Sequence, residues 1–205
     1  MSENYLIVVP TYNEAQNIEL FLDSLSDVSS DILVVDDNSP DGTSDLVKDK
    51  MIANSTINLL TRKKKDGLGS AYRDGFEWGL KHNYEYFVEM DADFSHRVVD
   101  LVGMIKEAKE YDLIIGSRYV NGGGSTGWTL RRKILSQGAN RIAQILLRTK
   151  INDLTSGFRI FTREALNKIE YKNTETNGYG FQTVSYTHLR AHETEADLVC
   201  RLLLE

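Results

Sequence analysis

Short apolar runs alternate with longer segments of helical period along the first 120 residues. The runs Tyr5 to Val9, Asp31 to Val35, Ile57 to Leu60, Tyr86 to Met90 and Leu113 to Ser117 are rich in β-branched and aromatic side chains, which predicts buried strands. Pro10 cannot donate to a ladder, so the first strand is expected to stop before it. Between the runs, residues 14–25, a segment from Thr43, and residues 67–81 and 98–109 predict helices; Ile18, Phe21, Leu22 and Leu25 share one face of the first. Strands alternating with helices predict βαβ units, a mostly parallel sheet and a three-layer α/β domain. Ligands of such sheets sit outside the carboxyl ends of the strands. The polar clusters at residues 11–14, 36–43, 62–69, 91–96 and 117–124 all fall at those ends.

Beyond the fifth run the pattern changes. Residues 121–127, Asn-Gly-Gly-Gly-Ser-Thr-Gly, read either as a linker or as a lid over the rim. Leu130 to Lys150 has helical period, with Ile134, Ile142, Ile145 and Leu146 on one face and Arg131, Arg132, Lys133, Arg141, Arg148 and Lys150 supplying positive charge. Such a helix packs on its own domain or lies against an anionic lipid surface. A polar turn from Asp153, a short strand from Phe158 to Thr162 and a small helix from Arg163 to Ile169 follow.

Composition narrows the function classes. A chain of 205 residues with 41% hydrophobic and 26% charged residues suits one globular domain. A net charge of −6 and the lack of a basic, aromatic-interleaved motif argue against nucleic-acid binding. One cysteine, Cys200, allows no disulfide framework. The first residues carry no basic n-region and no apolar run reaches spanning length, so the expectation is a soluble protein without a signal peptide.

The candidate chemistry centres on Asp91-Ala-Asp-Phe-Ser-His96, where an apolar strand stops at polar side chains. If the chain stayed extended, Asp91 and Asp93 would project to one side, and two carboxylates so placed repel unless a cation separates them or one is protonated. Hard oxygen ligands of this kind suit Mg²⁺ or Mn²⁺ carrying a diphosphate; the plainer reading is a solvated acidic turn. The first strand-to-helix turn, Pro10-Thr-Tyr-Asn-Glu14, has no glycine to admit a pyrophosphate, and no P-loop occurs.

Taken together, Pro10-Thr-Tyr-Asn-Glu14, Val35-Asp-Asp-Asn-Ser-Pro-Asp-Gly-Thr43, Gly67-Leu-Gly69 with Ala71, Asp91-Ala-Asp-Phe-Ser-His96, Gly116-Ser-Arg-Tyr-Val120 and Thr155-Ser-Gly-Phe-Arg159 resemble the family-2 glycosyltransferases of GT-A fold, specifically the dolichol- or polyprenol-phosphate mannose synthases. The resemblance implies a Rossmann-like α/β/α domain over residues 1–182 that moves mannose from GDP-mannose to a polyprenyl or dolichyl phosphate with inversion. It implies a nucleotide-sugar pocket of Pro10, Tyr12, Glu14, Asp37 and Asp91, and a metal held by Asp91 and Asp93. Ser95 stands where some relatives place a glutamine ligand. Arg118, Arg132, Ser136 and Gln182 would face the acceptor phosphate or the diphosphate, with Asp91, Asp93 and Arg118 the catalytic set. His96 is expected to be a hydrogen-bonded structural residue. A lipid monophosphate, largely dianionic at neutral pH, needs no general base. The implied location is peripheral, at the cytoplasmic face of a membrane, and a separate membrane subunit is left open. The rival readings are a UDP-sugar-dependent relative and a non-catalytic sugar-nucleotide binding module.

Residues 183–205 depart from the resemblance. They look similar to a translated sequencing-adapter read and are taken as foreign; the alternative is a native amphipathic helix using Leu198, Val199 and Leu202.

Overall fold

The computed structural model describes residues 4–119, 129–146, 151, 153–169 and 198–199. The glycine-rich stretch 121–127, Gln182 and most of 183–205 lie outside them. In chain order the elements are β1 (Tyr5–Thr11), α1 (Ile18–Ser24), β2 (Asp31–Asp36), α2 (Thr43–Ala53), β3 (Ile57–Thr61), α3 (Leu68–Lys81), β4 (Tyr86–Glu89), α4 (Val98–Glu107), β5 (Leu113–Ile115), α5 (Leu130–Leu146), β6 (Arg159–Thr162), α6 (Arg163–Lys168) and β7 (Leu198–Val199). They form one sheet in the order β3-β2-β1-β4-β6-β5-β7. Leu198 and Val199, expected either to be foreign or to be helical, pair parallel with Leu113 and Ile114 as an edge strand.

Alternation within the strands builds the two cores. Tyr5, Ile7 and Val9 of β1, with Val88 of β4, pack on the side of α1 and α4, against Ile18, Phe21, Leu101 and Met104. Leu6 and Val8, with Phe87, face Tyr72 and Phe76 of α3 and Leu166 of α6. Odd and even positions therefore serve opposite layers, as a pleat with a period of two requires. Helix α3 lies close to the sheet because it is glycine-rich on that face: a Cβ on Gly75 would sit 2.4 Å from Val8, and one on Gly79 would sit 2.5 Å from Phe87 and 2.6 Å from Leu6.

One expectation about the strands is corrected. Strand β1 runs through Pro10, which pairs in register with Val35. The Val8 carbonyl accepts from Met90 N and the Thr11 carbonyl accepts from Asp37 N. Backbone groups alternate sides, so the Pro10 nitrogen faces β4, whose pairing with β1 has already ended at Val8 and Glu89. No ladder donor is lost there. Strand β6 is antiparallel to both β4 and β5, with Arg159 opposite Glu89 and opposite Ile115. Its amino-terminal end therefore reaches the rim where the parallel strands finish.

The first two rim loops are fastened to each other. Asp36, fully buried, accepts from the Thr11 hydroxyl at 2.9 Å, from Ser39 N at 2.9 Å and Oγ at 2.6 Å, and from Ser44 Oγ at 2.7 Å. From the other side, Asn13 N donates to Ser39 Oγ, Glu14 N to Thr43 Oγ1 and Ala15 N to Asp41 Oδ2, each at 3.0 Å. Asn13 and Asn38 take left-handed φ values of 62° and 58°, a conformation asparagine tolerates better than most residues. Desolvation pushes the Asp41 carboxyl upward, but hydrogen bonds from the Thr43 hydroxyl and from the Ala15 and Thr43 amides outweigh it and hold the group below its ordinary value.

Two outcomes are expected. Gly79→Ala should lower stability by about 1–3 kcal/mol through overpacking, read as a fall in the urea midpoint at unchanged slope. Asp41→Ala should cost about 1 kcal/mol at neutral pH. Because the folded carboxyl ionises at lower pH than the unfolded one, that deficit is full above the ordinary carboxylate pKa of about 4 and shrinks as pH falls through the folded value. Urea titrations of both proteins at pH 7 and near pH 3 check it.

Candidate functional site: the strand-end rim

Strands β2, β1 and β4 are neighbours, and the residues expected to hold a sugar nucleotide sit at their carboxyl ends. Pro10 closes β1, Tyr12 and Glu14 follow in its loop, Asp37 follows β2, and Asp91, Asp93 and Ser95 follow β4. Tyr12 is 37% exposed, and Lys65 Nζ lies 3.8 Å from its ring centroid. Glu14 accepts from Asn17 Nδ2 at 3.2 Å. Asp37 is nearly buried and ion-paired to Arg62, which also donates from Nε to Asp74 at 2.7 Å and bonds Ser70 Oγ. Arg62 escaped the sequence reading except as a member of a polar cluster, although it orients the Asp37 carboxylate.

The acidic loop is a turn rather than an extension of β4. The strand ends at Glu89, residues 92–93 form a turn and Phe94 has φ 59°, so Asp91 and Asp93 are placed by the turn and not by strand alternation. Asp91 Oδ1 accepts from the Tyr72 hydroxyl at 3.0 Å, while its Oδ2 lies 3.9 Å from His96 Nε2. Asp93 is exposed and its Oδ1 accepts from Ser95 N at 2.9 Å. Ser95 thus contributes its amide to Asp93, and its exposed side chain stands at the turn. The ring of His96 stacks on Phe158 at 4.7 Å, and its Nε2 is buried without a hydrogen bond, which corrects the expectation of a hydrogen-bonded histidine.

Does this donor set fit a divalent ion? Among the described residues no group of three or more His, Cys, Asp or Glu side chains converges into a cage. Two carboxylates, each with one oxygen held by the protein and the other not, suit Mg²⁺ or Mn²⁺, which keep waters and take phosphate oxygens from a substrate. The residues fit an ion brought with a diphosphate.

Two layers of charge beneath the rim escaped the sequence reading. Glu89 and Arg159 face each other across β4 and β6, both fully buried. Arg159 donates from Nε to the Ser156 carbonyl and from Nη2 to the Leu154 carbonyl, both at 2.8 Å, which shapes the turn before β6. That turn carries Asp153, also fully buried. Arg118 donates to Asp153 from Nε at 2.7 Å, from Nη2 at 2.9 Å and from its amide at 3.2 Å, and from Nη2 to Thr155 Oγ1 at 3.1 Å. Arg118 is therefore held by a carboxylate of its own chain, with a quarter of its side chain exposed. The signal for Asp153 was its place in a polar turn, but its partner lies 35 positions away.

Helix α5 is joined to this turn. Asn140, nearly buried, accepts from Leu154 N at 3.1 Å, and Gln144 donates to the Ile151 carbonyl at 2.7 Å. Ser136 and the Tyr119 hydroxyl are 2.5 Å apart. Arg132 occupies the first turn of α5. The opposite side of the helix exposes Ile134, Leu135, Ile142, Ile145 and Leu146, each at 60% or more. No helix of the described residues is long and apolar enough to cross a membrane. A cleft of about 420 Å³ between β3 and α3, lined by Thr61, Lys63, Lys64, Trp78 and Lys81, lies on the flank of the sheet and not at the acidic turn.

Known proteins resemble this chain in sequence and in fold. The chain is 41% identical over 179 residues to an undecaprenyl-phosphate mannosyltransferase of Micrococcus luteus, covering 86% of this chain and 74% of the relative. It is 41% identical over 185 residues to a polyprenol monophosphomannose synthase of Mycolicibacterium smegmatis, covering 88% and 70% respectively. Among solved structures, a mannosyltransferase of Pyrobaculum calidifontis in complex with GDP-Man and Mn²⁺ superimposes with a TM-score of 0.56 at 21% identity, over 81% of this chain and 46% of that one. At that identity the superposition shows a shared fold, and this chain spans less than half of the archaeal structure. The family model for glycosyl transferase family 2 matches residues 6–170, and with these relatives it establishes that the chain belongs to that family, has the GT-A fold, and is similar to its polyprenol-phosphate mannose synthases.

Proposed function

We propose that the chain transfers mannose from GDP-mannose to a polyprenyl phosphate, with inversion, at a membrane surface. The observation that carries the reading is the division of the rim. Tyr12, Glu14, Asp37, Asp91 and Asp93 cluster on the ends of β1, β2 and β4, whereas Arg118 and its Asp153 clamp stand beyond β4, on β5 and the start of β6. Acids gather where a metal-borne nucleotide would lie, and a cation stands where a second phosphate would arrive. The names of the two bacterial relatives support the acceptor and the sugar, and the archaeal neighbour's ligands support the nucleotide and the ion.

In this reading Asp37, oriented by Arg62, accepts from the base, and Tyr12 packs beside it. Asp91 and Asp93 hold Mg²⁺ or Mn²⁺, which when bound supplies charge neutralisation for the departing nucleoside diphosphate. Arg118, fixed by Asp153 and Thr155, aligns the acceptor phosphate, and Arg132, Ser136 and Gln182 complete that side. The acceptor is a dianion at neutral pH and attacks the anomeric carbon without a general base, so alignment supplies most of the rate. A single displacement inverts the linkage. The exposed apolar residues of α5, flanked by Arg131 and Arg141, would rest on the lipid surface that carries the acceptor.

Transfer of labelled mannose to a polyprenyl phosphate is expected to require a divalent ion and to stop in EDTA. Asp91→Ala and Asp93→Ala should each lower turnover by about 10²–10³-fold. Full activity in the doubly substituted protein would overturn the metal role. Preferential use of UDP-glucose in a donor competition would overturn the choice of donor. Nucleotide binding without any transfer would support a binding module instead.

A further inference from the structure

Tyr72 lies on α3, has no solvent exposure, and sits 19 positions before the acid it contacts. Its hydroxyl donates to Asp91 Oδ1 at 3.0 Å. The ring cannot shift easily. It stacks on Phe76 at 6.0 Å, and α3 is pressed onto the sheet at Gly75 and Gly79. Glu89 lies two residues earlier on β4 and, by strand alternation, on the same α3-facing layer.

The two oxygens of Asp91 thus have different surroundings. Oδ1 is held from below by a rigid donor. Among the described residues, the polar contact recorded for Oδ2 is His96 Nε2, at 3.9 Å, and that nitrogen is buried without a hydrogen-bond partner. A carboxylate released from Tyr72 would be drawn toward this unpartnered nitrogen, because a buried polar atom gains most from a new partner. We propose that Tyr72 is a positioning residue that holds Asp91 away from His96 and presents Oδ2 to the divalent ion and diphosphate of the donor. The inference rests on the reading of Asp91 as a residue of the donor side. It adds a specific cause for the orientation of that residue.

The readout is the ratio of GDP affinity with Mn²⁺ to GDP affinity without it, measured by calorimetry on the full chain. Tyr72→Phe keeps the ring and its packing, and its thermal midpoint should stay within a few degrees of the parent. It should lower the ratio about tenfold to a hundredfold, the worth of one hydrogen bond to a charged group, while metal-free GDP binding changes by less than about twofold. In an Asp91→Ala background, adding Tyr72→Phe should leave the ratio unchanged, because no acceptor remains. An equal loss of GDP affinity with and without metal, or the same loss in both backgrounds, would mean that Tyr72 is only structural and would overturn the proposal. A lowered ratio in Asp91→Ala with none in Tyr72→Phe would overturn the proposal alone. An unchanged ratio in Asp91→Ala would overturn the donor-side reading of Asp91 itself, and the proposal with it.

Discussion

A charged group without access to water must be answered by hydrogen bonds or opposite charge, and the rim of this sheet is organised around that requirement. Asp36, Glu89, Asp153 and Arg159 have no solvent exposure. Asp36 is answered by four donors from three residues, and those donors close the loop after β2 onto the end of β1. Arg159 is answered by the carbonyls of Leu154 and Ser156 and lies opposite Glu89. Asp153 is answered by Arg118. Each pairing fixes a loop that would otherwise sample many shapes, so the exposed members of the site stand on a rigid base.

This division explains why adjacent acids do different work. Asp36 and Asp37 are neighbours in sequence, yet one is sealed within the β1–β2 junction and the other turns to Arg62. At the end of β4, Glu89 is buried against β6, while Asp91 is partly exposed and Asp93 exposed. The acids become wetter toward the tip of the loop, which would suit the proposed exchange of waters for phosphate oxygens.

Much of the frame was legible in the sequence. The apolar runs and helical periods located the elements through α4, because buried parallel strands and amphipathic helices leave strong local patterns. The polar motifs marked the rim correctly for the same reason. What stayed hidden depends on partners distant in the chain. The antiparallel direction of β6 is set by pairing with β4 and β5, and nothing local in Arg159 to Thr162 announces it. Pro10 reads as a stop until the ladder shows that its nitrogen faces no acceptor. Arg62, Asp153 and Tyr72 look like ordinary surface or core residues, since their partners Asp37, Arg118 and Asp91 lie 25, 35 and 19 positions away. The turn at Phe94, with its positive φ, likewise overrides the strand alternation assumed for the two acids.

The reversed strand β6 has a consequence for how such an enzyme can diversify. The half of the rim that bears Arg118 hangs from a long excursion between β5 and β6, and the half at the ends of β1, β2 and β4 is finished before that excursion begins. Lengthening or replacing the excursion leaves the pairing of β1 to β4 untouched. One half of the rim can therefore be rebuilt while the other keeps its contacts.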